Sequence, residues 1–264
     1  MNRAEPAAPR PSDVYFFATC VVDQFYPGAG LDAITLLERQ GIRVHFPAEQ
    51  TCCGQPAYTS GFPDQARQVA ALQLTLFPEN WPVVVPSGSC AGMMKHHYPT
   101  LFAADPVRKA QAVALSARIY ELTDFLVNVL DFQPEDKGSD CTVVLHTSCS
   151  ARREMGVHLT GRKLLGDLEH VTIAQQDHES ECCGFGGTFS VKQPEISGAM
   201  VEDKVKALKA SGAERVVSAD CGCLMNILGH AAWKDEQEGR KTPSLPGEHI
   251  ASFLLRRIAQ GAAK

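Results

Sequence analysis

The sequence predicts an α/β fold built from two pseudo-symmetric repeats, each a parallel-sheet α/β unit with cysteine loops at the carboxyl ends of its strands. Three observations lead there. A cysteine pattern occurs twice: Cys20, Cys52-Cys53-Gly54 and Cys90 are followed by Cys149, Cys182-Cys183-Gly184 and Cys221, at offsets of 129, 130 and 131. The flanking segments repeat as well. Val14 to Cys20 matches Val143 to Cys149, and Val83 to Cys90 matches Arg215 to Cys221, each an apolar run that delivers a cysteine to a loop. Finally, short β-branched runs alternate with helical patterns, which argues for parallel units whose ligands sit beyond the strand ends.

The first repeat reads as a strand over 14–18, a helix over 30–40 ended by Gly41, a strand over 42–46, a helix over 63–77 and a strand over 83–85. It closes on Leu122, Phe125, Leu126 and Leu130, whose i, i+3, i+4, i+8 spacing marks an amphipathic helix. The polar segment Gln133 to Asp140 is the boundary. Beyond it come strands near 142–146, 170–174 and 215–218, with helices near 158–166 and 194–211. A last helix over 248–259 presents Ile250, Phe253, Leu254 and Ile258 to a core. The expected organisation is therefore a flexible tail over 1–13, a first repeat over 14–132 and a second over 141–260.

Composition narrows the function. A chain of 264 residues with 44% hydrophobic and 21% charged residues buries a real core, and disorder does not describe its bulk. A formal net charge of -5 gives no electrostatic reason to expect nucleic acid. No apolar run approaches the roughly 18 to 20 residues of a membrane span. The proline-bearing start, with Pro6, Pro9 and Pro11, has no apolar segment resembling a secretion signal, so a cytoplasmic location is expected. In a reducing compartment, ten cysteines point to metal ligation or catalysis.

Zinc, dithiol redox chemistry and an iron–sulfur cluster all remain open to such loops. A structural zinc site usually takes two C-x-x-C knuckles, and the adjacent pairs Cys52-Cys53 and Cys182-Cys183 do not fit that pattern. Neighbouring side chains in an extended segment diverge, which is awkward around one small ion but suits a larger cluster. Gly54 and Gly184 permit the close turn such a core needs. The second repeat supplies Cys149, Cys182, Cys183, Cys221 and Cys223. The first supplies Cys20, Cys52, Cys53 and Cys90, with Met93 three positions on. Either set meets a four-thiolate requirement. Cys141, inside a strand and without a counterpart, reads as core.

A cysteine, a Cys-Cys-Gly about thirty residues later and a further cysteine group, all repeated, resemble the cysteine-rich CCG domain. That domain occurs in one of the subunits of heterodisulfide reductase and in the iron–sulfur subunits of glycolate oxidase and anaerobic glycerol-3-phosphate dehydrogenase. The resemblance covers about residues 14 to 256. It is nearest to the lactate-utilisation A family, because the chain has the two repeats and none of the C-x-x-C-x-x-C runs of the larger relatives.

The resemblance implies an iron–sulfur electron-transfer subunit of a multi-protein complex oxidising L-lactate to pyruvate, meeting the small 2-hydroxy acid through other subunits. It implies four-iron clusters, noncubane in the second repeat, where heterodisulfide reductase uses five cysteines. Cys149, Cys182, Cys183 and Cys221 match that pattern, while Cys223 makes Cys-x-Cys in place of Cys-x-x-Cys. In the first repeat Cys20, Cys52, Cys53 and Cys90 match and Met93 stands at the last ligand position. A disulfide-cleaving subunit, motivated by the fifth thiol Cys223, and a zinc-stabilised assembly module are the competing readings.

His146 and His178, three and four residues before Cys149 and Cys182, are placed to ligate or tune a cluster. His96 and His97 follow Cys90, where proton transfer is conceivable. Gly184-Phe185-Gly186-Gly187 lacks the spacing of a phosphate-binding loop and is expected to be a tight turn, with no bound nucleotide.

Overall fold

The structure, a computed structural model, describes residues 10–259. Eight short strands form two separate all-parallel sheets: β1 (Asp13–Phe16), β2 (Arg43–His45), β3 (Val83–Val85) and β4 (Ile119–Glu121) in one, and β5 (Cys141–His146), β6 (Val171–Ala174), β7 (Arg215–Ser218) and β8 (Gly247–His249) in the other. Their orders, β2-β1-β3-β4 and β6-β5-β7-β8, are the same arrangement twice. Helices cover the faces, so the central strand β3 is apolar throughout; Val83, Val84 and Val85 are fully buried.

Most predicted elements stand within a few residues of their expected bounds. The helix Pro27–Arg39 starts on a proline, whose fixed φ suits a first helical position, and ends where Gly41 takes a φ of 76°. Pro63 and Pro194 open the helices Pro63–Gln73 and Pro194–Ala210 in the same way. The strands β4 and β8 and the helices Pro106–Ser116 and Cys221–Gln237 were not anticipated. Of the expected tail, residues 1–9 lie outside the described residues. Ser12 and Asp13 already belong to the sheet, since the Arg43 N–H donates to the Ser12 carbonyl and Asp13 opens β1.

The halves interlock reciprocally. The helix Pro27–Arg39 packs on the last helix, Ile250–Ala259, while its counterpart Val157–Gly166 packs on Leu122–Asp124. One core, including Phe16, Leu36, Phe125, Leu145, Leu164 and Phe253, therefore draws on both halves, with a further core inside each. The connecting segment is also built in. Asp136 takes two hydrogen bonds from Arg257, at 2.7 and 2.8 Å, and both side chains are almost fully buried.

Sheet register corrects one equivalence drawn from the sequence. Phe16 pairs with Val84, and Leu145 with Val217. Phe16 and Leu145 each stand four residues before the first cysteine, so Val84 corresponds to Val217 and Cys90 to Cys223, not to Cys221. Cys221 falls where the first half has Gly88. Met93 then corresponds to Asn226, and His146 to Phe17.

Candidate metal centre

In each half the clustered cysteines come from three loops at strand carboxyl ends, two after central strands and one after an edge strand. Cys20 opens the helix Cys20–Phe25 just past β1. Cys52 and Cys53 follow β2, and Cys90 lies in the short helix Gly88–Gly92 after β3. Cys20 and Cys52, Cys52 and Cys53, and Cys53 and Cys90 lie close enough for each thiol to shift its neighbour's ionisation. The second half repeats the chain, from Cys149 to Cys182, Cys183 and Cys223. None of the ten cysteines is in a disulfide.

The Cys-Cys-Gly turns are alike in detail. Gly54 and Gly184 have φ of 85° and 83°, which glycine adopts freely, and their N–H groups donate to Cys52 Sγ and Cys182 Sγ at 3.4 Å. The carbonyl of the second cysteine is held from the helix beyond: Tyr98 donates to the Cys53 carbonyl at 2.9 Å and Asn226 to that of Cys183 at 2.8 Å. Gly186 and Gly187 also have positive φ, so the glycine cluster is a tight turn, and it packs on Pro56 of the opposite half.

Within each set one thiol ionises preferentially. Hydrogen bonds from Cys20 and Cys53 favour the Cys52 thiolate against burial, and Cys149 and Cys183 do the same for Cys182, so both lie well below the ordinary cysteine value. Their partners Cys20 and Cys149 are pushed up, first by the same hydrogen bonds and then by burial. At Cys223 the bond from Cys183 favours the thiolate, but burial and the nearby Asp220 and Cys182 raise it on balance.

Cys221 feels the charges of Cys223 and Cys90 but packs on the first half. It is 1% exposed and packs against Val22 and Ala29 of the first half, raised chiefly by burial. The second half thus gathers four thiols around its Cys-Cys-Gly turn, as the first does. A buried polar seam runs between the sets: Asp220 accepts from Ser87 and Ser89 at 2.7 Å, and Ser89 is the neighbour of Cys90. Beside Cys20 and Cys52 opens a cavity of about 200 Å³, lined also by Thr19, Gln50 and Phe46.

The histidines sort clearly. His146, the last residue of β5, is fully buried, and one of its ring nitrogens lies with Cys183 Sγ and Cys223 Sγ so that all three atoms are within 4.8 Å of one another. Burial, then the charge of Lys204, pushes His146 down to about 3, so the ring is neutral at ordinary pH. His178 is exposed and paired with Glu181 at 2.7 Å. His96 and His97 contact Glu154 across the halves. Cys141 packs at the edge of the shared core, its thiol 3.5 Å from Arg257.

Lys204, almost fully buried in the helix Pro194–Ala210, is a residue that sequence reasoning missed. Its ammonium donates to the His178 carbonyl and feels the charges of Cys182, Cys183 and Cys223. The matching position, ten residues past the helix-opening proline, is the neutral Gln73 in the first half. Comparing the repeats at that offset is the signal that would have found it.

Two matched thiol sets on paired parallel sheets define a double cysteine-rich domain protein. The family model for the cysteine-rich CCG domain matches twice, over residues 14–95 and 143–228. Lactate utilization protein A 1 of Bacillus mycoides (strain KBAB4) is 46% identical over 251 residues, covering 94% of this chain and 98% of the relative. Lactate utilization protein A of Shouchella clausii (strain KSM-K16) is 43% identical over 244 residues, 92% and 98% of the two chains. The chain belongs to the CCG cysteine-rich family and, within it, to the group of proteins called lactate utilization protein A. A hypothetical protein from Helicobacter pylori shares the fold, with a TM-score of 0.69 at 10% identity over 97% of this chain; this chain spans only 52% of that one. Among the described residues no helix is long and apolar enough to cross a membrane.

Proposed function

We propose that this chain is the iron–sulfur electron-transfer subunit of a multi-protein complex that oxidises L-lactate to pyruvate, with the acid itself bound on another subunit. One observation carries the reading: a four-thiol set, with the same turn and the same strand ends, is built twice in one chain. The lactate assignment rests on the name shared by relatives that match nearly their whole length.

The donors suit the group. Soft thiolates in fours are the usual ligands of iron–sulfur clusters, and adjacent cysteines suit a multi-atom core better than a single zinc ion. In this reading Cys20, Cys52, Cys53 and Cys90 form one ligand set within a first repeat over 14–132. Cys149, Cys182, Cys183 and Cys223 form the other, within a second repeat over 141–260. An iron–sulfur cluster supplies reversible one-electron transfer when bound. The chain's own residues tune it: the Gly54 and Gly184 N–H groups donate to sulfur, burial excludes water, and Lys204 places a positive charge beside the second set.

The disulfide-cleaving alternative drew on a fifth thiol in the second half. Cys223 takes the place of Cys90 there, and Cys221 packs on Val22 and Ala29 of the opposite half, which favours the electron-transfer reading. The test is the double substitution Cys182→Ser with Cys183→Ser. Iron and sulfide fall to about half, and lactate-dependent electron transfer in the assembled complex is lost; retention of both would refute the assignment.

A further inference from the structure

The two sets differ at a buried position beside the thiols. Where the first half places Phe17 at the end of its central strand, the second places His146. Both side chains are 0% exposed. A buried imidazole almost always spends its two ring nitrogens on hydrogen bonds, because an unpaired buried polar atom costs about 1–3 kcal/mol. Here neither His146 Nδ1 nor Nε2 has a partner. One of them instead lies within 4.8 Å of both Cys183 Sγ and Cys223 Sγ. Bonds of about 2.0–2.1 Å to nitrogen and about 2.3 Å to sulfur let donors that close share a single metal atom.

We propose that His146 is a direct ligand of the second-half centre, which is therefore a four-thiol, one-imidazole site of Cys149, Cys182, Cys183, Cys223 and His146, while the first-half centre is held by thiols alone. This rests on the iron–sulfur reading above and adds to it that the two clusters of one chain are chemically unequal. The imidazole is suited to the role, being dry and fixed at the end of β5. The first half cannot imitate it, since Phe17 offers no donor. Lys204 opposite Gln73 adds to the same asymmetry.

The experiment uses the full chain, purified anaerobically with natural and with 15N-labelled histidine, reduced with dithionite and measured by pulsed EPR, with iron and sulfide determined on the same samples. Expected is a strong coupling to one histidine nitrogen in one of two cluster signals, changing with the isotope. His146→Phe, which copies the first half, removes that coupling and leaves the other signal intact. Iron-loaded protein with no histidine coupling, or with a coupling that survives His146→Phe, overturns this proposal and leaves the iron–sulfur reading standing. Protein without iron and sulfide overturns both. Should His146→Phe fail to fold, the isotope pair on the unsubstituted chain decides alone.

Discussion

The ion pair between the connecting segment and the last helix gives the most quantitative test of the architecture. The Arg257 guanidinium donates to both Asp136 carboxylate oxygens and to the Ser139 carbonyl, at 2.6 Å, with side chains 2% and 1% exposed for Arg257 and Asp136. Asp136 also accepts from the N–H groups of Gly138 and His170. Asp136→Ala strands a buried guanidinium, and breaking such a pair from one side costs about 3–5 kcal/mol. At roughly 2–4 °C per kcal/mol for a domain of this size, thermal unfolding falls by roughly 6–20 °C. The assay is unfolding followed by far-UV circular dichroism under reducing conditions. Adding Arg257→Met removes the stranded charge, so the double variant is more stable than Asp136→Ala alone. A loss below about 1 kcal/mol for the single variant, or a double variant less stable still, would refute the reasoning.

The pH dependence of the same pair has a definite sign. Burial alone would raise Asp136, but hydrogen bonds from Arg257, Gly138 and His170 and the Arg257 charge outweigh it and hold the carboxyl below its ordinary value. Its contribution is present above the unfolded value, near 3.9, and is lost as pH falls through the folded one. Acid titration of stability therefore shows a smaller loss in Asp136→Ala than in the unsubstituted chain.

Two further outcomes follow from buried groups. Burial pushes Glu121 up to about 8 against the opposing hydrogen bonds from Thr123 and Asp124. Its contribution is complete below the unfolded value, near 4.3, and is lost as pH rises to about 8, so Glu121→Gln gains about 2–3 kcal/mol over the unsubstituted chain between pH 5.5 and 8.5; parallel urea-unfolding profiles would contradict this. Gly184→Ala and Gly54→Ala each force alanine into the left-handed region, at about 1–2 kcal/mol. The new Cβ lies 2.7 Å from the Ser197 carbonyl oxygen in the first case and 3.1 Å from that of Ala66 in the second. Gly184→Ala is thus the more damaging by about 1 kcal/mol or more, and equal losses in denaturant unfolding would show that the two turns are not packed as described.

Much of this was legible because the repeat supplied each element with an independent copy. The apolar runs at β1, β3, β5 and β7 and the Cys-Cys-Gly turns read directly from residue type. The three-residue strands β4 and β8 did not, because Ile119-Tyr120-Glu121 and Gly247-Glu248-His249 are too short and too polar to show a period. The slip that set Cys90 against Cys221 has a similar cause. Two valine runs of unequal context slide past each other by two residues without changing which face is apolar, and only pairing with β1 and β5 fixes the register. Asp136 looked like linker because its partner lies 121 residues away. His146 stood among four candidate histidines with no periodic signal, yet its match to Phe17 marked the position as one that points into the protein.

Each half of the chain is expected to hold an iron–sulfur cluster on its four-thiol set. Iron, acid-labile sulfide and zinc determined per chain on anaerobically purified protein test it most directly. About eight irons with matching sulfide, in brown protein, are expected; colourless protein carrying zinc and no sulfide would refute the cluster reading and leave the repeat a structural metal scaffold.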